Sequence, residues 1–293
     1  MLIVGCKTIF FSYVIFEELL MKKTLLASLI LGAFALPAAA QTAAPAAPEA
    51  APAPALTANI GLFSSYRFRG IDQTFGKPAL QGGFDYNHES GFYVGNWNSN
   101  VQSGAGYPSG NLEMDFYGGY KHAFGDFGLD VGALYYYYPG TDAGVGKAFS
   151  PVNNRNGKVA SGRVDNTEVY IGGSWKFLSL KYSFVVGDYF STPDTKNSGY
   201  LDLSANYDLG NGWGVNGHVG HLNFKNMNNA NYTDWKLGVT KDLSGWVLGA
   251  SYVATNAKGD CGKGEFYCFS NSGATSTKDA GKAIAVVSVS RTF

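Results

Sequence analysis

From Leu56 to the end of the chain, apolar and polar residues alternate over stretches of about ten, separated by clusters of Gly, Asn, Asp and Ser. A period of two is the signature of strands with unlike faces. Val169, Ile171, Trp175 and Phe177 fall on one face, opposite Glu168, Tyr170, Ser174 and Lys176. Leu112, Met114, Phe116 and Tyr120 oppose Glu113, Asp115 and Lys121 in the same way. Twelve segments are predicted, at 57–69, 80–88, 91–102, 111–123, 127–138, 165–177, 178–190, 199–209, 213–223, 232–243, 246–256 and 282–293. Short turns near 89–91, 125–126, 177–178, 210–212 and 244–245 alternate with longer loops at 70–79, 103–110, 139–164, 191–198, 224–231 and 257–281. An even strand number, with short turns at one end and long loops at the other, predicts an all-β fold. The expected architecture is a transmembrane antiparallel β-barrel with periplasmic turns and extracellular loops.

Alternation alone does not say which face points inward. A soluble barrel would hide its apolar faces inside, and twelve strands enclose more space than one layer of side chains fills. Bulky aromatics also gather near the predicted strand ends. Tyr93, Phe127, Trp175, Trp213, Trp246 and Phe293 fall at the short-turn end; Tyr66, Phe68, Tyr135, Tyr137, Phe190, Trp235 and Tyr252 fall at the other. Two aromatic belts flanking Val, Leu, Ala and Gly are what a bilayer interface selects. The chain stops at Phe293, read as the signal for the barrel-assembly machinery.

The N-terminal part fits export. Lys22 and Lys23 precede an apolar run over 24–36 and the small residues Ala38, Ala39 and Ala40, predicting a signal peptide over 21–40 cut between Ala40 and Gln41. Residues 1–20 suit that signal badly and are expected to lie upstream of the true start at Met21. Residues 41–56, nearly all Ala and Pro, read as a periplasmic linker, leaving 57–293 as the barrel.

Composition narrows the function. Charged residues are 15%, and 22 Lys+Arg balance 22 Asp+Glu, which leaves no electrostatic footprint for nucleic acid. After residue 40 no apolar run approaches the roughly 18 residues of a spanning helix. Cys261 and Cys268 share the last long loop, where an oxidising compartment favours a disulfide over a metal site.

The stretch Ser64 to Val101 contains S-S-Y-R-F-R-G at 64–70, P-A-L-Q-G-G-F-D-Y at 78–86 and S-G-F-Y-V-G-N-W at 90–97. It resembles the opening block of the TorF-type porin family, proteobacterial outer-membrane proteins otherwise described as of unknown function. The resemblance implies an outer-membrane barrel acting as a pore, and brings no substrate and no catalytic residue. Arg291, two residues before the terminal Phe, departs from the apolar residue customary there; its guanidinium is expected to snorkel into the headgroups.

Arg67 and Arg69 are expected on the polar face of the first strand, with Asp85 inward on the next, forming a charged zone that either filters solutes or pairs across strands. Gly82 and Gly83 are expected to relieve crowding or permit a bend. The inferred lumen sets Arg67, Arg69, Lys121, Lys176, Lys181 and Lys236 against Asp85, Glu113, Asp115, Asp130, Glu168, Asp202, Asp208, Asp234 and Asp242, a mild cation preference. His218 and His221 point to opposite faces and cannot chelate one metal. Residues 143–148 brush against a phosphate-loop pattern and fail it, since Ala follows Lys147. The carboxylates define no acid/base pair, so no enzyme, cofactor or metal is expected. The expected partners are outer-membrane lipids and small hydrophilic solutes, with a homo-oligomer left open. Loop 139–164, with Tyr136 and Tyr138 at its base, is expected to narrow the mouth. The expected function is a narrow passive channel. The alternative is a non-conducting barrel whose loops bind something outside.

Overall fold

The computed structural model describes residues 55–293 apart from 105–106, 108, 144–161, 272 and 274. The predicted signal peptide, nearly all of the linker and most of loop 139–164 therefore lie outside the described residues. The strands in chain order are β1 (Leu56–Phe63), β2 (Arg67–Phe68), β3 (Ile71–Asp72), β4 (Ala79–Asn87), β5 (Phe92–Asn100), β6 (Leu112–Phe124), β7 (Phe127–Tyr137) and β8 (Asp165–Trp175). They continue with β9 (Leu178–Val185), β10 (Gly199–Gly210), β11 (Trp213–Asn223), β12 (Tyr232–Leu243), β13 (Trp246–Thr255), β14 (Cys268–Ser270), β15 (Thr277–Asp279) and β16 (Ile284–Thr292).

Among the described residues, twelve of these close an antiparallel barrel, with β1 paired to both β16 and β4 and every other barrel strand to its chain neighbours. Closure leaves no unpaired edge. The remaining four strands form two small hairpins, β2–β3 and β14–β15, that are not hydrogen-bonded into the wall. The predicted segments match the barrel strands closely except at two ends. The first stops at Phe63 rather than residue 69, and the seventh at Val185 rather than 190.

The two faces of the wall are unlike. On β10, Leu201, Leu203, Tyr207 and Leu209 are exposed on the outside, while Tyr200, Asp202, Ser204 and Asp208 point inward. Phe127, Trp175, Trp213, Trp246 and Phe293 are exposed at the short-turn end. At the long-loop end Trp235 and Tyr252 are exposed, and Tyr135 and Tyr137 stack at 6.2 Å. Arg291 lays its guanidinium over the Trp246 and Phe293 rings, at 5.3 and 5.2 Å. Most of the buried aromatic side chains gather in two clusters inside the barrel, largely at the long-loop half.

Candidate functional site: a hairpin folded into the lumen

The chain leaves the wall at Ser64–Ser65. Ser64 N–H donates to the Val287 carbonyl at 2.9 Å, and its hydroxyl accepts from Val287 N–H at 3.0 Å. Beyond that point the polypeptide turns into the barrel and makes the β2–β3 hairpin, with Arg67 opposite Asp72 and Phe68 opposite Ile71. Its two turn residues, Arg69 (φ 49°) and Gly70 (φ 80°), are both left-handed, the requirement of a tight two-residue hairpin turn. Gly70 also meets the far wall: a Cβ there would stand 2.4 Å from Thr255 Cγ2 and 2.8 Å from Asp234 Cβ.

Every residue from Ser65 to Thr74 is buried, and the hairpin is bound on several sides. Arg69 forks onto Glu168 of β8 at 3.0 and 2.8 Å and donates to the Tyr189 hydroxyl at 2.9 Å. Its guanidinium lies 4.2 Å from the Tyr200 ring of β10. Tyr66 donates to Glu113 of β6 at 2.9 Å and meets Trp97 of β5 edge-on at 5.5 Å. Arg67 donates to the carbonyls of Ala280 and Lys282 at 3.0 and 3.2 Å. Asp72 pairs with Lys278 at 2.6 Å, and the Tyr107 hydroxyl donates to Gln73. A forked, water-excluded arginine–carboxylate pair fixes geometry more firmly than a surface pair.

The structure corrects several sequence expectations. Arg67 and Arg69 sit on an inserted hairpin, not on the first strand, because that strand ends at Phe63. Asp85 is not beside them; it lies toward the short-turn end of β4, opposite Thr57, and accepts from Tyr117 at 2.5 Å. Lys176 is exposed in the β8–β9 turn with its ammonium 4.8 Å from the Trp175 ring, outside the lumen. Tyr66 and Phe68 are buried in the plug rather than in an outer belt, and Phe190 packs against it. Tyr93 points inward to Asp130 at 2.7 Å, while its neighbours Phe92 and Val94 face out. Both phases of that segment are aromatic, so alternation did not distinguish them.

Glu113, Asp115, Asp130 and Glu168 are fully buried. Lys121 is inside, 4.2 Å from the Tyr93 ring, and Lys181 lies 5.5 Å from the Tyr170 ring. Sequence reasoning missed Asp72, Tyr189, Tyr200 and Lys278 as partners of the hairpin. It also missed a clamp on His218, whose ring nitrogens lie 2.6 Å from Asp202 and 3.0 Å from Asp234. The inward period of β10–β12 placed these three on one face, which was the available signal. His221 is exposed on the outer face, 2.9 Å from the Thr233 hydroxyl.

Above the hairpin, Cys261 and Cys268 are joined by a disulfide within segment 257–281. Asp260 accepts from Gly262 N–H at 2.9 Å and pairs with Lys263 at 3.0 Å. The Lys263 hydrogen bond, helped by that N–H, holds its carboxyl below the usual range. Tyr267 donates to the Ala230 carbonyl at 2.5 Å, tying this loop to its neighbour.

Beneath the hairpin, toward the short turns, the lumen opens into a cavity of about 230 Å³. Its wall carries Ser179, Ser183, Ser204, Asn206, Asn216 and Ser288, and its roof is Arg67, Phe68 and Arg69.

Residues 46–293 match the family described as "Bacterial protein of unknown function (Gcw_chp)". Among curated proteins none matches the sequence. Among solved structures the chain is similar to "KdgM porin", with 8% identity, a TM-score of 0.45 and coverage of 81% of this chain and 99% of that one. It is similar to the NanC porin with 10% identity, a TM-score of 0.47 and coverage of 82% and 99%. For OprB of Pseudomonas putida the identity is 10%, the TM-score 0.36 and the coverage 76% and 61%. These similarities are low, and the assignment of the fold rests on the strand pairing itself.

Proposed function

The chain belongs to the Gcw_chp family of bacterial proteins of unknown function, and for this member we propose a porin-like channel of the outer membrane that passes small hydrophilic solutes or ions by diffusion. The observation that carries the reading is the inversion of the barrel. Large apolar side chains cover the outside, while serines, asparagines and charges line a cavity within. A barrel dissolved in water would place them the other way round. The signal peptide expected over 21–40 fits the same membrane, with assembly machinery and lipid as the partners there.

On this reading the β2–β3 hairpin sets the aperture. Solutes entering from the short-turn side meet Arg67, Phe68 and Arg69 and pass only beside the hairpin or after it shifts. The excess of inward acids does not form a cation-attracting ring along the cavity. Glu113, Asp115, Asp130 and Glu168 are fully buried, and Asp202 is the acid among the described residues lining the cavity.

One observation favours the second reading, a barrel closed to flow: aromatic clusters pack both sides of the hairpin at the long-loop half. Planar-bilayer recording of the purified protein separates the two. Small stable conductance steps are expected, enlarged when residues 66–73 are replaced by a Gly-Ser bridge. A silent wild type that conducts only after this replacement supports the closed reading. Silence from both, with folded barrels verified, rejects the channel.

A further inference from the structure

We infer that the cavity beneath the hairpin is a binding site for a small hydroxylated carboxylate, entered from the short-turn end and held by Lys181 and Lys236. The inference rests on the barrel reading but not on conduction.

Most of the charges that line the cavity are committed to partners. Arg69 is committed to Glu168. Arg67 is committed to two backbone carbonyls, with Asp72 at 3.6 Å. Asp202 is occupied by His218 at 2.6 Å and by the Ser204 hydroxyl, and the other His218 nitrogen meets Asp234 at 3.0 Å. That leaves Lys181 on β9 and Lys236 on β12, both lining the cavity. Among the described residues neither ammonium has an ion pair or hydrogen bond; Lys181 lies over the Tyr170 ring with Asp202, Glu168 and Asp130 and the opposing Arg69 as its charged neighbours, and Asp202 is the charged neighbour of Lys236. Asp202 stands between the two lysines in strand order, yet its bonds go to His218 and Ser204 rather than to either.

Two unpaired cations in a recess with low-dielectric walls focus a positive potential, and a recess of that sign concentrates anions. The register places Lys181 opposite Asp202 and Lys236 opposite His218. Three strand spacings, about 14 Å along the wall, and a two-residue step in register separate the two backbones, and the inward face of the curved wall turns both side chains into the same cavity. The volume of about 230 Å³ far exceeds the roughly 10–15 Å³ that one water needs on this measure, so the site is roomier than a simple halide requires. Beside apolar residues such as Leu134, Val247 and Val253, the lining presents hydroxyls and amides from Ser183, Ser204, Asn206, Asn216, Thr240 and Ser251. Such groups reward a ligand that carries hydroxyls beside its carboxylate. The buried acids of β6, β7 and β8 are absent from this lining, so they do not repel the ligand by contact.

The test uses the protein extracted from membranes into detergent, with calorimetric titration of potassium gluconate against sorbitol. Saturable binding of gluconate, little of sorbitol, and weakening by added salt are expected. K181Q/K236Q is expected to raise the gluconate Kd about tenfold or more, and K181R/K236R to retain most of the affinity. Heat-modifiable gel mobility verifies folding of each variant. Should the double variant not fold, K236Q alone is read, with a smaller shift in the same direction. Equal binding of gluconate and sorbitol, no gluconate binding, or unchanged affinity in the folded Gln variant overturns the site. None of these outcomes depends on whether the barrel conducts, so failure of the binding site and failure of the channel remain distinguishable.

Discussion

Arg69 concentrates the physics of the plug in one residue. It takes a left-handed backbone conformation that costs a non-glycine residue about 1 kcal/mol or more, and its guanidinium is enclosed by Glu168, Tyr189, Tyr200 and Phe68. Removing the carboxylate leaves a buried cation without its counter-charge. Glu168→Ala is therefore expected to cost about 3–5 kcal/mol, and much of that loss should appear as release of the hairpin rather than unfolding of the wall. Trypsin should then cut after Arg67 or Arg69 while the barrel keeps its folded gel mobility; an uncut hairpin in the folded variant would show that aromatic packing alone retains it. The chemistry of these residues was legible in the sequence as inward charge, but their partners were not. Alternation reports which face a side chain occupies and nothing about which element it meets. Gly83 was more readable: a Cβ there would lie 2.0 Å from the Asn96 carbonyl oxygen, the crowding that its place in a strand suggested.

At the scale of elements, the strands were readable because lipid-like and water-like surroundings on the two faces force a strict period. The inserted hairpin was not, since Tyr66-Arg67-Phe68-Arg69 continues the same period after the chain has left the wall. Only Ser64 and Ser65 interrupt it, and their role in closing the β1–β16 seam is a tertiary contact. Segment 257–281 covers the hairpin from above: the Ala280 carbonyl accepts from Arg67, and Phe266 packs edge-on against Phe224 at 5.7 Å. The Cys261–Cys268 link closes a short loop within this segment and limits the conformations open to it when unpacked. C261S/C268S is accordingly expected to increase proteolysis within 257–281 several-fold and to leave the strands protected. Equal cleavage with and without the link would mean that the Tyr267 and Phe266 contacts hold the loop unaided.

For the whole molecule, the reading of a lipid-facing wall makes unlike demands on adjacent faces of one sheet. Leu203 is half exposed at the middle of β10, pointing outward, while Ser251 of β13 lines the cavity. A lipid-facing arginine at the bilayer midplane costs a barrel about 2–4 kcal/mol, whereas a lumen position exposes the same charge to water and other polar groups. Leu203→Arg should therefore lower the free energy of folding into lipid vesicles by about that amount, read from denaturant titration of tryptophan fluorescence. Ser251→Arg should change it little, because its new charge enters a wet cavity already built for polar groups. The pair is informative in both directions. If the outward arginine were tolerated and the inward one were not, the outer surface would be facing water and the channel reading would fall with it. If the predicted asymmetry holds and fades as the outward arginine is moved from Leu203 toward Tyr207 and Leu209 near the short turn, the depth dependence itself locates the bilayer on the barrel.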